Sequence, residues 1–168
     1  LNAFAAIPLN RTHKVRVGIV GEIYVKYSPL GNNNLEDFLL REGAQVIVPG
    51  LLGFFLYCVY NNMMDYKLYR AKRLRYPLLK FVYDYMLGKQ SRVIRLMRRH
   101  GRFTPPTPFS HAIELVKDYI GLGAKMGEGW LLPAEMLELA SCGVNNIVCT
   151  QPFGCLPNHI FGKGMMKP

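Results

Sequence analysis

In KVRVGIVGEIYVKYSPLGNNNLEDFLLREGAQVIVPG (14–50) the hydrophobic period changes twice. Lys14–Val20 carries β-branched residues up to Gly21 and is predicted as a strand. After a loop, Asn33 is placed to cap a helix, with Glu36 three residues on in the capping-box manner. That helix is expected over Leu35–Glu42 and stops at Gly43, a residue that enters the left-handed region without penalty. Ala44–Val48 is a second short apolar strand, closed by Pro49-Gly50. Strand, helix, strand at this spacing opens a doubly wound, mostly parallel α/β sheet.

Beyond Gly50 the rhythm breaks. Leu51–Met64, Tyr66–Arg75, Pro77–Leu87 and Gln90–His100 are predicted as helices, with Gly88 a break and Gly101 the last stop. Residues 51–103 therefore read as an α-helical insertion, and TPPTP (104–108) as a stiff return to the sheet. Ser110 is expected to cap a helix through Ile120, followed by the glycine-rich loop GLGAKMGEG (121–129). Pro133 suits the first position of a helix Ala134–Cys142, which Gly143 ends. Val144–Cys149 is the third strand, and a final helix starts at Asn158. The expected class is thus half of a flavodoxin-like fold, one α/β domain over residues 1–168, truncated from a larger protein.

Composition narrows the functional classes. The formal charge of +10 lies in one segment, since Asp65–Arg102 holds twelve Lys/Arg against two aspartates and the remainder balances. In Gln90–His100, Val93, Ile94, Leu96 and Met97 form one helix face and Arg92, Arg95 and Arg99 the other. Such a face can dock an acidic surface or attract phosphates, yet no helix-turn-helix, zinc-finger, RRM or KH pattern accompanies it. The apolar run Gly50–Tyr60 is about half the ~20 residues that a membrane helix needs. Leu1–Pro8 lacks the basic lead and cleavage region of a signal peptide, and the four cysteines have no disulfide-framework spacing. Reduced thiols and a cytoplasmic location are expected.

Ligands of an open α/β sheet gather beyond the carboxyl ends of the strands, near the switch in strand order. With the first strand central and the other two flanking it, Gly21–Asn34 and Cys149–Asn158 meet there. The second loop, CTQPFGCLPNH (149–159), puts two thiols six positions apart around a Pro/Gly turn. Both can face one soft metal or cluster. The alternative is that Cys149 is a packed strand residue and Cys155 an ordinary loop residue. Glu22 and Asn158 sit at the mouths of the two loops and are candidate cofactor-binding residues; a solvated loop carboxylate is the competing view of Glu22. GLGAKMG lacks the lysine position of a phosphate loop and does not follow a strand. No Ser/His/Asp set, HExxH or usable carboxylate pair is present.

Two blocks, VGIVGEIYVKYSPLGNNNLEDFLLREGA (17–44) and GVNNIVCTQPFGCLPNHIFGKGMMK (143–167), resemble the large CoA-substrate-specific enzyme activase family. That family is related to 2-hydroxyacyl-CoA dehydratases and double-cubane-cluster reductases. The resemblance implies a domain of an ATP-linked iron–sulfur reductase system, in which low-potential electron transfer serves 2-hydroxyacyl-CoA dehydratase-type chemistry. It implies that Cys149 and Cys155 serve a 4Fe–4S cluster in the parent protein, and that the domain alone holds no cluster and turns over no substrate, because the ATPase and upstream cysteine motifs are absent. Expected partners are the other domains of that protein and an ATPase activator component, with the CoA thioester met indirectly; neither nucleic acid nor a membrane is expected. The competing reading is a non-catalytic docking module whose basic helical cap binds an acidic partner, a nucleotide or nucleic acid.

Overall fold

The computed structural model describes residues 1–9, 12–71 and 73–167; Lys72 of the basic run and Pro168 lie outside the described residues. After one helical turn, α1 (Asn2–Ala5), the chain enters β1 (Arg16–Gly21), whose last four residues are buried. Burial on both faces is what a central parallel strand requires, and it explains why Gly18–Gly21 does not alternate with polar residues. Gly21 is required by its surroundings: at φ 138°, a Cβ there would lie 2.0 Å from the Thr150 carbonyl oxygen. The chain then turns into α2 (Ile23–Tyr27) and α3 (Leu35–Arg41) before β2 (Gln45–Ile47).

The cap of α3 differs from expectation. Asn33 and Asn34 both take left-handed backbone conformations, and the side chain that accepts from the Leu35 amide belongs to Asn32, at 3.1 Å. Asn32 also donates to the Val25 carbonyl, so it ties the end of α2 to the start of α3.

Leu51–Tyr69 forms one helix, α4, where two were expected. No glycine or proline interrupts residues 54–69, and Arg70 closes the helix in the left-handed region. Tyr76–His100 is likewise one helix, α5, entered from a 3₁₀ turn at Arg73–Arg75 and passing straight through Gly88. An interior glycine costs only about 1 kcal/mol, and α5 packs along α4. The next helix, α6, spans Phe109–Val116 with Pro108 at its N-cap; Ser110 lies inside it, exposed. Its first amide is satisfied by the buried Gln90 of α5, 3.0 Å away. Helix α7 (Leu131–Ser141) starts before Pro133, which the first turn tolerates because amides there have no intrahelical partner.

β3 (Asn146–Thr150) completes a three-stranded, all-parallel open sheet in the order β2-β1-β3. Val17 pairs with Val46 on one side, and Ile19 with Val148 on the other. The main core lies beside the sheet. Leu56 and Tyr57 of α4, Phe109, Ala112 and Val116 of α6, and Trp130, Leu131 and Ala134 at α7 form one buried cluster. A smaller cluster of Val20, Leu139 and Val144 joins α7 to the sheet. Tyr57 holds the glycine-rich loop, its hydroxyl lying 2.9 Å from the Gly127 carbonyl and 3.1 Å from that of Lys125. Among the described residues, no helix is long and apolar enough to cross a membrane.

Candidate functional site

The carboxyl ends of β1 and β3 bring together the two loops that flank the switch in strand order. Thr150 ends β3 buried, its hydroxyl donating to the Val20 carbonyl at 3.2 Å, while the Glu22 amide donates to the Thr150 carbonyl at 2.9 Å. From there residues 151–157 turn out and back, with Phe153 at the exposed tip. The chain re-enters at Asn158, which is fully buried. In place of the expected α-helix, Asn158–Gly162 is a single π turn followed by a 3₁₀ turn, Lys163–Met165. Gly162 sits against the sheet, and a Cβ there would lie 2.9 Å from Cys149 Sγ.

Asn158 links both cysteines. The Cys149 thiol donates to Asn158 Oδ1 at 3.6 Å, and Asn158 Nδ2 donates to Cys155 Sγ at 3.2 Å. Both thiols are half-buried, and neither forms a disulfide. Burial pushes the Cys149 thiol up to about 11, with Glu135 and Cys155 adding to the effect and Lys26 opposing it. At neutral pH this group is a protonated donor, in keeping with its bond to Oδ1. It is therefore no standing nucleophile, and a metal must displace its proton to bind.

Glu22 is not free at the cleft. One of its carboxylate oxygens accepts from the Val25 amide at 2.8 Å, capping α2. His159 is exposed, and its amide closes the cysteine loop on the Cys155 carbonyl at 3.1 Å. Cys142 ends α7 exposed, and Cys58 lies half-buried against the helical core, its thiol pushed up by burial.

The structure adds charged residues that motif reasoning missed. Lys26 of α2 places Nζ 2.9 and 3.0 Å from the two carboxylate oxygens of Glu135 on α7, with the residues 4% and 5% exposed. Burial raises the Glu135 carboxyl above its ordinary range, and the Lys26 ammonium offsets part of that. Buried Glu128, from the glycine-rich loop, accepts from the Ile23 amide at 3.1 Å and fixes the start of α2. A signal for Glu135 exists in the sequence: it falls in phase with Leu131, Leu132 and Leu139 on the buried side of an apolar helix. Nothing local names Lys26 as its partner.

A cavity of about 210 Å³ opens beside Glu135, bounded by Pro49 and Gly50 after β2 and by Gln90, Thr107 and Glu138. Burial raises the Glu138 carboxyl too, against the lowering effect of its bonds to Thr107. Tyr27 donates a short hydrogen bond to the Pro49 carbonyl, spanning the ends of β1 and β2; burial, then Glu135, pushes its phenol up to about 12. A larger hollow, about 310 Å³, lies near the amino end of β3 between Tyr119, Asn145 and Met165 and gathers no charged side chain.

A 4Fe–4S cluster ordinarily takes four cysteine thiolates. Among the described residues no group of three or more His, Cys, Asp and Glu side chains converges. The donor type fits, with two soft sulfur atoms held by one carboxamide, but it amounts to half a ligand set. Comparison with protein-family models, with curated proteins and with solved structures finds no match to this chain.

Proposed function

We propose that the chain is the strand-end cysteine domain of a low-potential iron–sulfur electron-transfer system acting with CoA thioesters, of the 2-hydroxyacyl-CoA dehydratase type. The observation that carries this reading is the pairing of Cys149 and Cys155 through the buried Asn158, at the carboxyl end of the central strands. Cys149 and Cys155 would hold the iron, Asn158 Nδ2 would keep its bond to the Cys155 sulfur while the Cys149–Asn158 bond is given up with the thiol proton, and the remaining ligands would come from other parts of the parent protein or an activator component. When bound, such a cluster supplies one-electron transfer at a potential set by its ligands and their hydrogen bonds. The CoA-thioester half of the reading rests on the resemblance carried by residues 17–44 and 143–167. The strand order 2-1-3, all parallel, supports extension to a flavodoxin-like doubly wound sheet, which begins in that order.

The test is anaerobic iron and acid-labile sulfide analysis with EPR, on the complete protein and its Cys149→Ala/Cys155→Ala variant. Loss of a reducible cluster signal from the variant is the expected result. Equal iron, sulfide and spectra in both proteins would leave the two cysteines structural and sink the proposal.

A further inference from the structure

Helix α5 has an inner and an outer side. Gln90 and Ile94 are buried on the inner side. On the outer side Leu78, Phe81 and Tyr85 are 66%, 69% and 58% exposed, and Leu74, in the preceding turn, 97%. These positions alternate in steps of four and three, and the same line continues through Gly88 to Arg92, Arg95 and Arg99, all exposed. Alternating steps of three and four keep a seam to one side of a helix, drifting about 20° around it per heptad. The seam changes character at Gly88, apolar before it and basic after it. None of Arg92, Arg95, Arg98 and Arg99 enters an ion pair among the described residues.

We propose that this seam docks one helix of a protein partner, running antiparallel to α5, acidic in its amino-terminal half and apolar in its carboxyl-terminal half. A purely solvated helix does not line up exposed Leu, Leu, Phe and Tyr. A membrane-surface helix sets basic and apolar residues side by side along its whole length; on this seam the apolar positions precede Gly88 and the basic ones follow it, and only Val93 and Leu96, each 46% exposed, flank the arginines. A nucleic acid would use the arginines for phosphate and leave Leu78 and Phe81 in water. A single helix meets both halves at once. Its direction follows from helix electrostatics, because acidic residues are most stable in the first turns. Placed against the basic carboxyl half of α5, an acidic amino end makes the pair antiparallel. From Leu78 to Arg99 the seam is about 32 Å long at 1.5 Å per residue. The surface is independent of the cysteine site.

The test uses two synthetic peptides of equal composition and about three heptads, measured by fluorescence anisotropy against the whole protein. One carries glutamate at its seam positions first and leucine last; the other has the reverse order. The glutamate-first peptide is expected to bind and gain helicity. Leu78→Ser/Phe81→Ser and Arg92→Glu/Arg95→Glu are each expected to weaken it by at least about tenfold, or 1.4 kcal/mol. Both pairs are exposed, so unchanged circular dichroism certifies the fold. Failure of both peptides to bind, or equal binding of both orders, overturns the proposal. So does a Leu78→Ser/Phe81→Ser protein that binds normally, and capture of oligonucleotide or phosphatidylserine vesicles through the arginines alone would then reassign the face.

Discussion

Lys26 and Glu135 form the most deeply buried ion pair among the described residues. A bidentate ion pair shut away from water compensates two desolvated charges, and removing one partner strands the other, at about 3–5 kcal/mol. Lys26→Met should therefore lower the free energy of unfolding by about that amount in urea denaturation. Lys26→Met/Glu135→Leu should recover most of the loss, because no charge is left buried. An equally unstable double variant would mean that Lys26 acts through its packed stem, not its charge. The exposed Lys80–Asp84 pair on α5 is by contrast screened by water and contributes little to stability.

At the scale of elements, α5 is a helix whose middle residue argues against it. A Cβ at Gly88 would meet nothing within 4 Å, and the residue is helical. Gly88→Ala should stabilise the protein by about 1 kcal/mol, seen as a higher urea midpoint with an unchanged slope; destabilisation would show that the glycine accommodates a bend. The same residue shows where sequence reading stops. Gly88 ends a helix only if the segment is judged by itself, and the contacts holding it, α4 beneath and Gln90 reaching the Phe109 amide, are long-range. The strands were legible because β-branched runs closed by glycine or proline leave little choice, as in residues 14–21 and 44–50. The cysteine loop was legible because strand-end loops meet in any parallel sheet of this order. Asn158 could be singled out, though not its grip on both sulfurs. Lys26 and Glu135 were invisible as a pair, since 109 residues separate them. The π turn at Asn158–Gly162 has no sequence code; it seats Gly162 where a Cβ would press on Cys149.

For the molecule as a whole, the ionisable groups set a limit at high pH. The Cys149 thiol is pushed to about 11, and Tyr27 and Tyr83 to about 12, with burial the largest cause in each. Each group is held neutral more firmly by the fold than by the unfolded chain. The unfolded chain therefore loses these protons first, so the stability they contribute is complete below about pH 9, the ordinary thiol value, and is lost as pH rises towards about 12. Urea midpoints should be level between pH 7 and pH 9 and fall by pH 10.5, within that interval. A midpoint that holds steady to pH 11 would mean that Cys149 and Tyr27 ionise in the native state without cost.

The seating of Trp130 has an optical consequence. It is the chain's single tryptophan, fully buried, edge-on to Tyr57 with ring centroids 5.0 Å apart, and its indole N–H donates to Asn61 at 3.1 Å. All ultraviolet emission excited at the red edge of the absorption band thus reports from one place, the junction of α4, α6 and α7. Under that excitation the spectrum of the intact protein is that of a single sheltered chromophore. Its colour tells whether that junction is closed, and it stays blind to events on the outer side of α5.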